Sequence, residues 1–105
     1  MKRIALTDEI GSWFDADKAL LFKEEIYHDG RNFISKATGS QTEHQCLFKT
    51  ASGKYILYSW SNYQVSKKSY VLIDAETTAI WFAKQAYPVD EIPEDLKQLV
   101  DEYEI

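Results

Sequence analysis

The stretch "EHQCLFKTASGKYILYSWS", residues 43–61, decides the fold. "EHQCLFKT" and "KYILYSWS" are two runs of strand-forming residues on either side of "ASGK", whose Ser52–Gly53 pair suits the positive φ of a tight turn. The spacing predicts a β-hairpin. In its second strand, Tyr55 and Leu57 share one face, and Ile56, Tyr58 and Trp60 share the other. Apolar residues on both faces imply a central strand, covered on two sides.

Toward the C-terminus, "NYQVSKK" reads as a loop and "SYVLI" as a third strand of the meander. Asp74 is a good N-cap for "AETTAIWFAKQ", with Ala79, Ile80, Ala83 and Tyr87 on one stripe and Pro88 as the stop. Pro93 suits the first turn of a second helix, in which Leu96, Leu99, Val100 and Tyr103 recur at helical spacing. Toward the N-terminus, Arg3–Leu6 reads as a short strand, "TDEIGSW" as a turn and "DADKA" as a capped helical turn. Lys18–His28 fits neither template cleanly. Leu21, Phe22 and Glu25 have helical spacing, but the turn pair Asp29–Gly30 and the extended piece Asn32–Lys36 favour a hairpin around "HDGR". Strands first and helices last predict an α+β domain spanning 1–105. Its antiparallel sheet has about four or five strands, with two C-terminal helices packed on one face.

Composition narrows the function classes. An apolar fraction of 45 % and a charged fraction of 28 % exclude a disordered chain. Aromatics reach 14 %, which suggests a compact aromatic core or a contact surface. Cys46 is the one cysteine, so neither an internal disulfide nor a multi-cysteine zinc site can form, and a reducing compartment fits. No apolar run has the length of a signal or a membrane span, so a cytoplasmic location without membrane contact is expected. The net charge of −5 is unevenly placed: Arg31, Lys36, Lys49, Lys54, Lys67 and Lys68 face only Glu43 within 31–68, while the C-terminal part is strongly acidic.

Catalytic signals are weak. His28, Asp29, Glu43 and His44 are ligand types for zinc or iron, but no local spacing puts two on one face without help from the fold. His44 and Cys46 share a strand face, yet Cys46 in "QCLF" reads as a core residue. "GSW" and "ATGS" are not nucleophile elbows, and "ATGSQT" is not a phosphate loop. The acid pairs Glu24/Glu25, Asp90/Glu91, Glu94/Asp95 and Asp101/Glu102 read as solvated faces. No cofactor is implied.

Binding is better supported. Phe33, Phe48, Tyr55, Tyr58, Trp60 and Tyr63 are interleaved with the bases of 31–68, a pattern that can serve nucleic acid, although the acidic whole opposes it. The acidic second helix could instead steer a basic protein, with "SWSNYQ" supplying aromatic anchors. The polar stretch "GRNFISKATGSQTEH", residues 30–44, is rich in turn-bonding side chains. If the hairpins pair, Arg31 and Asn32 come near Ser59, Ser61, Asn62 and Gln64, on a polar surface edged by Trp60 and Tyr63. The binding candidates are these eight with Ser35, Ser40, Gln41 and His44.

"DGRNFISKATGSQTEHQCLFKTASGKYILYSWSNYQ" together with "SYVLIDAETTAIWF" resembles a group of small bacterial proteins of unassigned function, often carried on phages, plasmids and other mobile DNA. The likeness covers roughly residues 12–87, and the chain departs from the pattern at His28, Phe33 and Tyr63. The resemblance implies a bacterial accessory protein and carries over no catalytic role. The expected function is therefore a non-catalytic binding protein of inhibitor, antitoxin or immunity type acting on a protein partner. A nucleic-acid-binding module comes second, and a small metal-dependent or hydrolytic enzyme third.

Overall fold

A computed structural model describes residues 1–63 and 68–105. Among these, the strands are β1 (Arg3–Ala5), β2 (Trp13–Asp15), β3 (Leu20–Lys23), β4 (Ile26–His28), β5 (Phe33–Ser35), β6 (Glu43–Lys49), β7 (Tyr55–Ser61) and β8 (Ser69–Ile73). The helices α1 (Ala75–Lys84) and α2 (Glu94–Asp101) follow. The fold is α+β. Its main antiparallel sheet has the order β3-β6-β7-β8, and β1-β2 and β4-β5 form two separate ribbons.

The hairpin of 43–61 is the centre of that sheet. Glu43 lies opposite Ser61 and Lys49 opposite Tyr55. Gly53 closes the turn at φ 86°, where its N–H donates to Thr50 O at 2.9 Å. The alternation then sets two faces. Leu47, Tyr55, Leu57, Phe22 and Ile73 meet Trp81, Phe82, Ile92 and Leu96 of the helical layer. On the reverse face the β1-β2 ribbon lays Phe14 against Phe48 and Tyr70, with ring centroids 5.2 and 6.2 Å apart. Thr7, in the loop after β1, clasps β8: its N–H donates to Tyr70 O at 2.8 Å, and its Oγ1 accepts from Tyr70 N–H at 2.7 Å.

The run 18–28 is extended, but it does not continue as one strand. At Glu24–Glu25 the backbone leaves the sheet: Glu25 N–H donates to Gln85 Oε1 at 2.8 Å, and Glu25 O accepts from Lys36 N–H at 2.8 Å. Bonding to a helix and to the next hairpin replaces bonding to β6, so β4-β5 becomes an arm rather than a sheet strand. The loop expected over 62–68 falls partly on residues 64–67, outside the described residues.

Helix α1 differs from the expected stripe. Asp74 does cap it, accepting from Thr77 N–H at 2.8 Å. The buried side, however, is Thr78, Ala79, Trp81 and Phe82, with Ile80 42 % exposed. Two adjacent large rings bury more apolar area than Ile80 and Ala83, and that area sets the rotation of the helix. The helix also ends before Pro88 is reached. Ala86 takes φ 51°, with Ala86 N–H donating to Ala83 O and Tyr87 N–H to Phe82 O, a Schellman-type stop. Tyr87 then packs edge-on against Phe82 and donates its hydroxyl to Lys23 O at 2.7 Å. Among the described residues, no helix is long and apolar enough to cross a membrane.

Candidate functional site

Glu24 stands at the break between β3 and β4, and its side chain is only 7 % exposed. A carboxylate so placed needs donors. Oε1 accepts from Ser35 Oγ at 2.6 Å and from Gln45 N–H at 2.8 Å, and Oε2 meets His44 Nδ1 at 2.6 Å. These bonds join the arm to β6. Because a carboxylate only accepts, the hydrogen of the His44 bond sits on Nδ1. The other ring nitrogen, Nε2, lies 3.0 Å from Asn62 Nδ2. The imidazole also stacks on Trp60, which stacks on Tyr58, which stacks on Tyr70, with centroids 5.5, 4.9 and 4.3 Å apart.

In front of Asn62 is a cleft of about 410 Å³ lined by Asn32, Phe33, Gln41, Thr42, Asn62 and Tyr63. Its rim is built from local bonds. Asp29 Oδ1 accepts the N–H groups of Asn32 and Arg31, and those bonds, Asn32's first, hold the Asp29 carboxyl below its ordinary range. Ser40 Oγ accepts from Thr42 and Glu43 N–H, and Asn62 N–H donates to Thr42 O at 2.9 Å. Ser61 Oγ accepts from Tyr63 N–H. Phe33 and Tyr63 project from this rim, 68 % and 81 % exposed.

Of the twelve binding candidates, Asn32, Gln41, Asn62 and Tyr63 converge on the cleft, with His44 directly behind Asn62. Ser35 is fully buried on Glu24, and Ser40 and Ser61 hold turns. Strand alternation sends Ser59 to the helix-bearing face, near Gln45, while Trp60 points to the reverse face. Trp60 there edges an apolar hollow of about 330 Å³ shared with Leu21, Lys23, Glu24, Ile26 and Cys46. Arg31 is exposed beside the Asp29 turn and is not in the cleft lining. Gln64 lies outside the described residues. The polar surface expected around Trp60 and Ser59 is thus divided between two faces, and Asn32 and Asn62 are the part of it that meets.

The other chemistries find less. His28 Nδ1 accepts from Gly30 N–H, and both nitrogens of His44 are engaged. Among the described residues, no group of three or more His, Cys, Asp or Glu is placed to hold a metal ion. Burial foremost, and then the Glu24 charge, pushes the Cys46 thiol up to about 12, which removes the thiolate a nucleophile needs. In the basic segment, Tyr55 is buried in the core, Phe48 packs on Phe14, and Lys49 is tied to Asp95 at 2.9 Å. A larger hollow, about 610 Å³, opens between the β1-β2 ribbon and the β6-β7 turn. Its Asp15 carboxylate is already taken by Lys2 and Asp17 N–H groups. The hairpin-tip cleft is therefore the better site. Glu24 is the site residue that sequence reading missed; the one available signal was an acid pair interrupting the apolar run "LLFKEEIY".

The chain matches no protein-family model, no curated protein and no solved structure.

Proposed function

We propose that this protein is a non-catalytic accessory protein that works by binding another protein through the cleft at the hairpin tips. The observation that carries the reading is the pair of exposed rings, Phe33 and Tyr63, set around the amides of Asn32, Gln41 and Asn62. Large rings with few rotatable bonds contribute contact area at low entropic cost, and amides beside them supply direction. The Glu24–His44 pair behind Asn62 keeps the site pre-formed, which lowers the cost of association. An inhibitor, antitoxin or immunity role in the bacterial cytoplasm agrees with the resemblance of residues 12–87 to mobile-element proteins.

Nucleic acid is the second reading, favoured by the same two rings standing near the exposed Arg31. One experiment separates the two. Immobilised wild-type protein and the Phe33→Ala/Tyr63→Ala double variant are incubated with bacterial lysate, with and without nuclease. A protein captured by wild type after nuclease treatment, and lost by the double variant, supports the first reading. Captured nucleic acid that is released by moderate salt supports the second. Equal capture by both proteins rules out the cleft.

A further inference from the structure

We infer that the β4-β5 arm is a flap hinged at its root, and that the cleft is whole only while the flap is closed. The inference rests on the proposed reading of the cleft as a binding site and names how that site is controlled. Burial is its first support. Every residue from Ile26 to Phe33 is exposed, Ile34 is half-buried, and Ser35 is the first to be fully buried. Ile26 borders the apolar hollow beside Trp60, yet it stays 51 % exposed. The ribbon is tied within itself by the pairs Ile26–Ser35, Tyr27–Ile34 and His28–Phe33, and Asp29 closes its tip. A lone two-stranded ribbon is marginal in water, and segments with few buried contacts are the first to open.

The bonds to the body gather at the root. Ser35 Oγ donates to Glu24 Oε1 at 2.6 Å, Ser35 N–H to Ser40 O at 3.0 Å, and Glu25 N–H to Gln85 Oε1 at 2.8 Å. Beyond the root, among the described residues, no hydrogen bond or ring stack joins residues 26–33 to anything outside the arm. The cleft divides along the same line. Asn32 and Phe33 belong to the arm, while Gln41, Thr42, Asn62 and Tyr63 belong to the body. The body half is fixed, because Asn62 N–H donates to Thr42 O and Ser40 Oγ accepts from Thr42 N–H. Phe33 is already 68 % exposed, so a swing of the arm away from the body gives up little contact. A ligand that touches both halves binds the closed form alone, and its apparent affinity scales with the closed fraction.

The test is pulsed electron spin resonance on the full chain, spin-labelled in a Cys46→Ala background. One label pair, Arg31→Cys with Lys84→Cys, spans arm and body, and the other, Lys54→Cys with Lys84→Cys, lies within the body. Arg31 reports the arm as a unit, because Asp29 pins its turn to the ribbon. A four-residue strand is about 13 Å long, so a swing of about 25° moves its tip by about 5 Å. The distance distribution of the arm pair is expected to be broader than that of the body pair by about 5 Å. Ser35→Ala, which removes one bond at the root, is expected to broaden the arm pair further and leave the body pair unchanged. An arm pair as narrow as the body pair in the otherwise wild-type chain overturns the flap and leaves the cleft as a rigid site. An arm pair that Ser35→Ala does not move overturns the root as its hinge. Neither result involves a ligand, so both are separate from the lysate capture by Phe33→Ala/Tyr63→Ala, which tests whether the cleft binds at all.

Discussion

Glu24 Oε2 and His44 Nδ1 lie 2.6 Å apart although twenty positions separate them, and the same carboxylate also holds Ser35 and Gln45. Glu24→Gln keeps the shape but turns an N–H₂ group toward neighbours that are themselves donors. The loss expected is about 2–3 kcal/mol, the range for a buried hydrogen bond to a charged group with a mismatch left behind. Urea unfolding of the two proteins reads it as a lower midpoint at unchanged slope.

Ala86 holds a left-handed backbone, φ 51°, at the stop of α1. A methyl group is strained there and glycine is not, while glycine also enlarges the freedom of the unfolded chain. The first effect is the larger, so Ala86→Gly is expected to stabilise by about 0.5–1 kcal/mol. A rise in the thermal midpoint is the readout, and a fall would show that the turn is unstrained.

Partial burial raises the Asp95 carboxyl, but bonds from Lys49 Nζ and Tyr55 Oη outweigh it and hold the group below its ordinary value. A lowered folded-state pKa contributes stability above the unfolded value and loses it as pH falls through the folded one. Asp95→Asn is therefore expected to be less stable than wild type near neutrality and to show a flatter loss below about pH 4. Urea midpoints taken across an acid series check both parts.

Cys46 is buried between Phe48 and the Trp60 side of the reverse face, and its thiol is raised to about 12. An aromatic disulfide reagent at neutral pH is expected to react about a thousandfold more slowly with native than with urea-unfolded protein. Fast reaction of the native state would mean that the reagent reaches the thiol through the hollow that Cys46 shares with Trp60.

Local rules made the centre of the fold legible. Alternation in "KYILYSWS", the Ser52–Gly53 turn and the Asp74 cap each depend on neighbours in sequence, and each is found where those rules put it. The rotation of α1 was not legible, because Ile80 and Phe82 are both apolar and only contact with the sheet ranks them. Glu24 was hidden for a related reason: an acid pair normally marks a solvated face, and the donors that reverse this come from residues 35, 44 and 45. The cleft was half legible. Turn-forming residues betray the loops that carry Asn32, Gln41 and Asn62, but whether two loop tips meet depends on where the β4-β5 arm departs from the sheet, and the Glu24–Glu25 backbone determines that.

The Thr7 clasp on Tyr70 has a consequence for solubility. The outermost strand of an open sheet is a template for strands of other molecules, and β8 is such a strand. By occupying both backbone groups of Tyr70, Thr7 covers the margin at that one position of β8. An incoming strand would have to displace this clasp before it could pair with Tyr70, a hindrance independent of whatever the far end of the molecule binds.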